Sequence, residues 1–440
     1  MYDLREYQKR AVSDIQDFIS TKRKKKPSIA VLPTGAGKSI VIAEAVVRTN
    51  VNTVVLQPNV KLLTQNSSKY MNYGFDCSIF SASAKSKEVG KVTFATPKSV
   101  INALDKFKRF DFGLIMIDEA HLGTRSGSEI KKIAQELGTE NVVGLTATPV
   151  QLHSTMEHGS ELIMMPYLRG GLFKEIVHLT QIRELTGYWT PVKYLQSRSD
   201  YSMLRARNAS EFKEETLKKF FDSNNMEKKI ADAIRFLKNE KGIGKALIFV
   251  PSVEKAKEIA SWRKDFAYID ANVKESERKD ILNRFENGDI NYVVNLNILS
   301  VGYDYPNLCA IIDAYPTNSA PVYIQRDGRL RRVFEGKEVA YYVDLGGNYE
   351  RFGDVANIEY VQQGGRWVMK TEKGVLTYRR IFNENNYDLS NVIFNFGKYK
   401  GLSLEQVAYE DMPYVRWVRD EFTPRDENQL LIKNRIKDVY

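Results

Sequence analysis

Three short runs of this 440-residue sequence carry side chains that together could hold a nucleoside triphosphate and cut it. In the first, Pro33-Thr34-Gly35-Ala36-Gly37-Lys38-Ser39, a tight glycine-containing loop separates the apolar residues 29–32 from the mostly apolar residues 40–47. Strand, loop and helix in that order make a phosphate cradle. Glycines let backbone N–H groups turn towards the phosphates, and the helix N-terminus adds partial positive charge. Thr34, Gly35, Ala36 and Gly37 supply the loop, Lys38 can reach the β- and γ-phosphates, and Ser39 can ligate Mg2+. The strict pattern has glycine where Leu32 stands, so the general phosphate-loop rule is met in part.

The second run, Leu114-Ile115-Met116-Ile117-Asp118-Glu119-Ala120-His121, reads as a buried strand delivering adjacent carboxylates to the same site. Asp118 would hold Mg2+, and Glu119 would position and deprotonate the attacking water. The third run, Tyr323 to Arg332, contains Gln325, Arg329 and Arg332 on a predicted helix. Arg329 and Arg332 would serve as arginine fingers, stabilising charge that develops on the γ-phosphate in the transition state. Arg326 and Arg331 read as extra, solvated charges.

These residues need a scaffold. Strand candidates at 54–57, 78–80, 92–96, 114–118 and 142–146 alternate with helical stretches, which argues a parallel α/β sheet. In such sheets ligands bind at the carboxyl ends of the strands, where the motifs fall. From Gln151 to about Thr180 the pattern loosens, and residues 186–191 mark a linker. Residues 211–239 read as helices with Phe212, Leu217, Phe220, Phe221, Ile230, Ile234, Phe236 and Leu237 as core. A second α/β unit follows, with strands at 246–250, 266–269, 292–296, 309–313 and 339–345 and no second phosphate loop. The expected fold is therefore α/β, two tandem parallel-sheet domains (1–185 and 186–350) sharing one nucleotide site, with a small α+β C-terminal accessory region (351–440).

PTGAGKS, Asp118-Glu119-Ala120-His121 and the QxxGRxxR pattern of residues 325–332 occur in the order seen in superfamily-2 helicases, which residues 1–345 resemble. The resemblance implies two RecA-like domains, ATP and Mg2+ as cofactors, and a nucleic-acid track. It also carries roles onto matching positions. Arg5 and Gln8, in Leu4-Arg5-Glu6-Tyr7-Gln8, correspond to an adenine-reading motif. Pro58, Asn59 and Thr96 stand at strand ends that touch the nucleic-acid backbone, and Ser252 is a further phosphate candidate. His121, Thr146 and Thr148 would couple the nucleotide site to the nucleic-acid site. Residues 295–306 depart from the commonest pattern and are closer to RadD-like and type III restriction motors. Asn295, Asn297 and Ser300 all remain candidates there for the backbone contact, while Gly302 and Asp304 keep the nucleotide side. The expected activity is ATP-dependent unwinding or branch migration of forked or branched DNA, in the manner of phage-encoded fork-remodelling helicases. A double-stranded DNA translocase without unwinding and an RNA helicase are the rivals.

Composition agrees with a polyanionic partner. Lys plus Arg number 65 against 55 Asp plus Glu, a net charge of +10. Two cysteines, Cys77 and Cys309, with no CxxC pair, argue against structural zinc and an oxidising compartment. No apolar run approaches membrane-spanning length and no secretory signal precedes the first motif. A cytoplasmic monomer is expected, in the host cytoplasm for a phage protein. The tail reads as hairpins over 358–380 with Arg366 and Trp367 among its basic and aromatic groups. Two readings stand for it, a DNA-gripping element or edge strands with a packed tryptophan. Beyond it, Phe396-Gly397-Lys398-Tyr399-Lys400-Gly401 resembles a small module at the ends of some DNA exonucleases, making Lys398 and Lys400 DNA candidates. Glu335-Gly336-Lys337 imitates a nuclease motif but lacks partner carboxylates, so nuclease chemistry is rejected.

Overall fold

The computed structural model describes residues 3–121, 127–155, 159–164, 171–197, 199–201, 203–204, 212–296, 305–363, 366–372, 374–375 and 392–439. The chain opens on helix α1 (Glu6–Ser20), which buries Tyr7, Ala11, Val12, Ile15 and Phe18 along one face. The first lobe continues with β1 (Ser28–Val31), α2 (Lys38–Thr49), β2 (Thr53–Leu56), α3 (Val60–Asn72), β3 (Ser78–Ser81), β4 (Ser86–Lys87) and β5 (Val92–Ala95). After α4 (Pro97–Ile101) and α5 (Leu104–Phe107) come β6 (Leu114–Ile117), α6 (Gly127–Leu137) and β7 (Val142–Thr146). A hairpin of β8 (Val150–Thr155) and β9 (Gly159–Met164) precedes β10 (Glu175–Leu179).

The sheet of this lobe has 8 strands in the order β10-β1-β7-β6-β2-β5-β3-β4, parallel except where β3 meets β4. β1, β2 and β6 are buried at every position, as helices on both faces of a parallel sheet require. The described part of the loosened stretch 151–180 is structured all the same. Its strand β10 pairs with β1 at the sheet edge, and most of its residues are only half-buried. An edge strand with a partly wet face needs no continuous apolar run, which is why its sequence is quiet.

A 3-10 helix (Ile182–Tyr188) leads into β11 (Val192–Gln196) and the second lobe. This lobe comprises α7 (Glu214–Ser223), α8 (Met226–Lys241), β12 (Ala246–Phe249), α9 (Val253–Ala260), β13 (Phe266–Ile269), α10 (Glu275–Asn287), β14 (Tyr292–Asn295), β15 (Ala310–Asp313), α11 (Ala320–Leu330) and β16 (Ala340–Asp344). Its 6-stranded sheet is parallel in the order β11-β16-β15-β12-β14-β13. The expected core residues of α7 and α8 are buried, with one correction. Phe236 is exposed and lies beside Lys241, because its neighbour Leu237 takes the inward position one step further round the helix.

After α12 (Asn348–Phe352), strands β17 (Glu359–Gln363), β18 (Arg366–Thr371) and β19 (Gly374–Val375) form an antiparallel sheet. It is fastened to both lobes. Gln181 donates to the Tyr360 carbonyl at 2.7 Å and accepts from its N–H at 3.0 Å, while Asp354 accepts from Arg331 at 2.8 Å. Helices at Leu404–Glu410, Met412–Asp420 and Glu427–Val439 enclose a separate small core that includes Phe394, Leu404, Val415 and Ile436. No helix among the described residues is long and apolar enough to cross a membrane.

Candidate active site between the two lobes

Gly37 takes the left-handed conformation, φ +78°, and starts α2. A methyl group on it would meet Gln8 Nε2 at 2.6 Å, so the loop needs glycine there for both backbone and space. Gln8 is buried; it donates to the Ala36 carbonyl at 2.8 Å and accepts from the Arg5 N–H at 2.9 Å. Its donor end thus braces the loop, and its acceptor end caps α1. Arg5 lies 4.2 Å above the ring of Tyr188, an exposed aromatic bordering the same cavity.

Asp118 and Glu119 leave the end of β6, and Lys38 Nζ stands 3.5 Å from Glu119 Oε1. Glu119 itself has φ +46°, a strained setting for a side-chain-bearing residue, worth about 1 kcal/mol or more. Burial and the adjacent Glu119 charge push the Asp118 carboxyl up to about 6. At Glu119 burial also opposes ionisation, but the charges of Lys38 and then Arg329 favour it and the carboxyl is held low. Electrostatics thus sort the two acids, one kept ionised and one short of positive charge.

A residue that motif reading missed links Asp118 to Ser39. Asn66, buried on α3, accepts from Ser39 Oγ at 2.9 Å and donates to Asp118 Oδ2 at 2.7 Å. Its signal was a polar residue on the inward face of an amphipathic helix. Ser39 and Asp118 present hard oxygen donors, and among the described residues no group of three or more His, Cys, Asp or Glu could hold a metal. That donor set fits Mg2+, which prefers one or two protein oxygens together with phosphates and water.

The second lobe reaches this centre through α11. Gln325 Nε2 lies 3.0 Å from His121 Nε2, and His121 Nδ1 lies 3.1 Å from Thr146 Oγ1. Burial pushes the His121 pKa down, and a neutral ring suits one accepting and one donating nitrogen. Thr146 Oγ1 in turn accepts from the Thr148 N–H at 3.0 Å. A methyl on Gly328 would sit 2.4 Å from Thr34 Cγ2, so the helix approaches the phosphate loop as closely as glycine permits. Arg329, buried, and Arg332, half-buried, line one cavity of about 400 Å³ together with Gly35, Gly37, Lys38, Ser39, Asp118 and Glu119.

Arg326 and Arg331 are not solvated. Arg326 has no exposed surface and pairs with Asp313 at 3.0 Å; Arg331 pairs with Asp327 and Asp354. The finger helix is buried between two lobes, and a guanidinium stays there only with a carboxylate beside it. Lys337, of the rejected nuclease motif, is buried and donates to the carbonyls of Leu330, Arg332 and Pro306 at 2.7, 2.9 and 2.9 Å. It caps the end of the finger helix.

The nucleic-acid candidates divide. Asn59 is exposed and caps α3 through Leu62 N, Pro58 is half-buried, and Thr96 is half-buried and bonded to Ser99. Ser252 and Asn295 are corrections. Ser252 is buried and its hydroxyl caps α9, while Asn295 is buried and donates to the Ile248 carbonyl, so neither is offered to a backbone. Asn297, Ser300, Gly302 and Asp304 lie outside the described residues. Trp367 is half-buried against the core cluster that runs through both lobes, and the backbone of Arg366 lies in β18. Lys398 is exposed but paired with Asp411 at 2.7 Å; Lys400 is exposed.

Three family models match in chain order. "Type III restriction enzyme, res subunit" covers residues 1–151, and "Helicase conserved C-terminal domain" covers 228–334. Both fall on the two lobes that close the cavity. The two models are those of a superfamily-2 helicase, and the chain is similar to that family in both lobes. The third model, "Exodeoxyribonuclease X-like C-terminal", matches residues 394–421, within the small separate core of this chain. The chain is 26% identical over 284 residues to the Saccharomyces cerevisiae protein IRC3, covering 62% of this chain and 38% of that one. It is 26% identical over 377 residues to the DNA 3'-5' translocase XPB2 of Sulfurisphaera tokodaii, covering 75% and 79%. The structure of the ATP-dependent type ISP restriction-modification enzyme LlaBIII bound to DNA superposes with a TM-score of 0.56 at 17% identity, over 80% of this chain and 28% of that one. That likeness shows the fold, two RecA-like parallel-sheet domains in tandem.

Proposed function

We propose that this helicase hydrolyses ATP between its lobes and uses the closing and opening of the cleft to move along DNA, unwinding or branch-migrating forked substrates. The observation that carries the reading is the shared cavity, with Lys38, Ser39, Asp118 and Glu119 on one wall and Arg329 and Arg332 on the other. Lys38 and the loop N–H groups hold the phosphate chain. Glu119, kept ionised, orients the attacking water and takes its proton. Arg329 and Arg332 stabilise charge gathering on the transferred phosphoryl group. Ser39 and Asp118 would hold Mg2+, which when bound neutralises the β- and γ-oxygens. His121, Gln325 and Thr146 pass the state of the site across the lobes, because the Gln325–His121 bond spans the cleft and the His121–Thr146 bond carries it into the first lobe. The positive net charge supports a nucleic-acid track, and the exonuclease-type C-terminal module supports DNA.

A second reading, translocation on duplex DNA without strand separation, is favoured by the similarity to a protein named as a translocase. ATPase stimulation by forked DNA, blunt duplex and RNA, run beside strand displacement on the fork, separates these. Displacement of the fork strand supports unwinding; stimulation by duplex without displacement supports the second reading. Stimulation by RNA alone overturns both.

A further inference from the structure

Between the lobes the chain passes through Trp189 and Thr190, two linker residues outside the three runs that carry the chemistry. Both are buried, with Trp189 only 8% exposed. Trp189 sits between the halves of the site. Its Nε1 edge is turned to the phosphate loop, where a methyl on Gly35 would come within 3.3 Å of it. Its ring face carries the Arg331 guanidinium, whose central carbon is 5.0 Å from the ring centre. The indole also lines the cavity shared with Lys38 and Arg329. Yet among the described residues its buried N–H has no hydrogen-bond partner. A buried donor left unmade is costly and uncommon, and in a cleft lined for anions it marks a place for an acceptor. Thr190 binds the same spot to the fingers, its N–H donating to the Arg331 carbonyl and its hydroxyl to the Arg332 carbonyl, each at 2.9 Å.

We infer that the Trp189 indole N–H donates to the terminal phosphate of bound nucleoside triphosphate, and that Thr190 relays this contact to the arginine-finger helix. The inference rests on the reading of the cavity as the ATP site. The position argues for the terminal phosphate, because Trp189 lies on the side of the loop that faces Arg331 and the fingers. The interlobe connection then senses whether the γ-phosphate is present.

The test is Trp189→Phe, which keeps a ring and removes the donor, in the full chain. Affinities for a non-hydrolysable ATP analogue and for ADP, each with Mg2+, are measured by calorimetry, alongside the thermal midpoint without nucleotide and a Lys38→Ala control. The expected result is analogue affinity lowered about tenfold, the order of one hydrogen bond to a charged group. ADP affinity should stay within about twofold and the thermal midpoint should not fall, since an unmade donor has been removed. Unchanged analogue affinity, with Lys38→Ala defective, overturns the inference and leaves the ATP site standing. Equal losses for both nucleotides with a lower midpoint would make Trp189 a packing residue and also overturn it. Normal analogue binding by Lys38→Ala would instead bring down the reading of the cavity itself.

Discussion

Gln325 on the second lobe places its side-chain nitrogen 3.0 Å from Nε2 of His121 on the first, a direct bond across the cleft. The two residues are 204 positions apart in the sequence. Their partnership predicts non-additivity. Gln325→Ala and His121→Ala should each lower kcat/KM, and the double variant should be little worse than the more damaged single one. The coupling in a double-mutant cycle should fall at about 0.5–3 kcal/mol. Additive losses would mean that the bond plays no part in turnover.

The charge arrangement around Glu119 predicts separable defects. Glu119→Gln should retain ATP binding while kcat falls about 10²–10⁴-fold, the span typical of a lost general base. Lys38→Ala should lose binding as well, measured by nucleotide titration and steady-state phosphate release. Full turnover in either variant would refute the assignment.

Asn66 joins the hydroxyl of Ser39 to the carboxylate of Asp118. Groups behind metal ligands commonly change metal affinity by about 10–100-fold when removed. Asn66→Ala should therefore raise the Mg2+ concentration for half-maximal ATPase about tenfold or more. An unchanged Mg2+ titration would reduce Asn66 to packing.

Lys337 makes stability depend on alkaline pH in a definite direction. Burial and the charge of Arg332 bring its ammonium down to about 8, against an ordinary 10.5. Between those values the unfolded chain holds a proton that the folded chain has shed, so this group makes stability rise with pH. Urea unfolding at about pH 7.5, below that window, and at about pH 9.5, inside it, should show wild type gaining on Lys337→Met as pH rises. Parallel behaviour of the two proteins would exclude the shift.

The accessory strands are built into the lobes, with Tyr360 and Met369 buried in a core cluster that runs through both lobes and Asp354 bonded to Arg331. Truncation at residue 391 should leave basal ATPase near wild type and weaken DNA binding or unwinding. Truncation at residue 350 should instead lower the thermal midpoint, because it opens both lobes. Equal midpoints for the two truncations would contradict this packing.

Local chemistry is written in the chain. A glycine loop before a helix, two acids after a buried strand, and arginines on a helix identify themselves, because each depends on neighbours a few residues away. The continuous apolar strands likewise announced two parallel sheets. Partners distant in sequence could not be read that way. Asn66 between Ser39 and Asp118, Gln8 bracing Ala36, Gly328 against Thr34, and Asp313 beside Arg326 exist only where separate elements meet. Ser252 and Asn295 looked available because sequence shows a polar group but not whether folding buries it. Spacing along the chain thus determined which chemistry this protein carries, while packing between the lobes decided which charges stay buried, which bonds cross the cleft and which donor is left waiting.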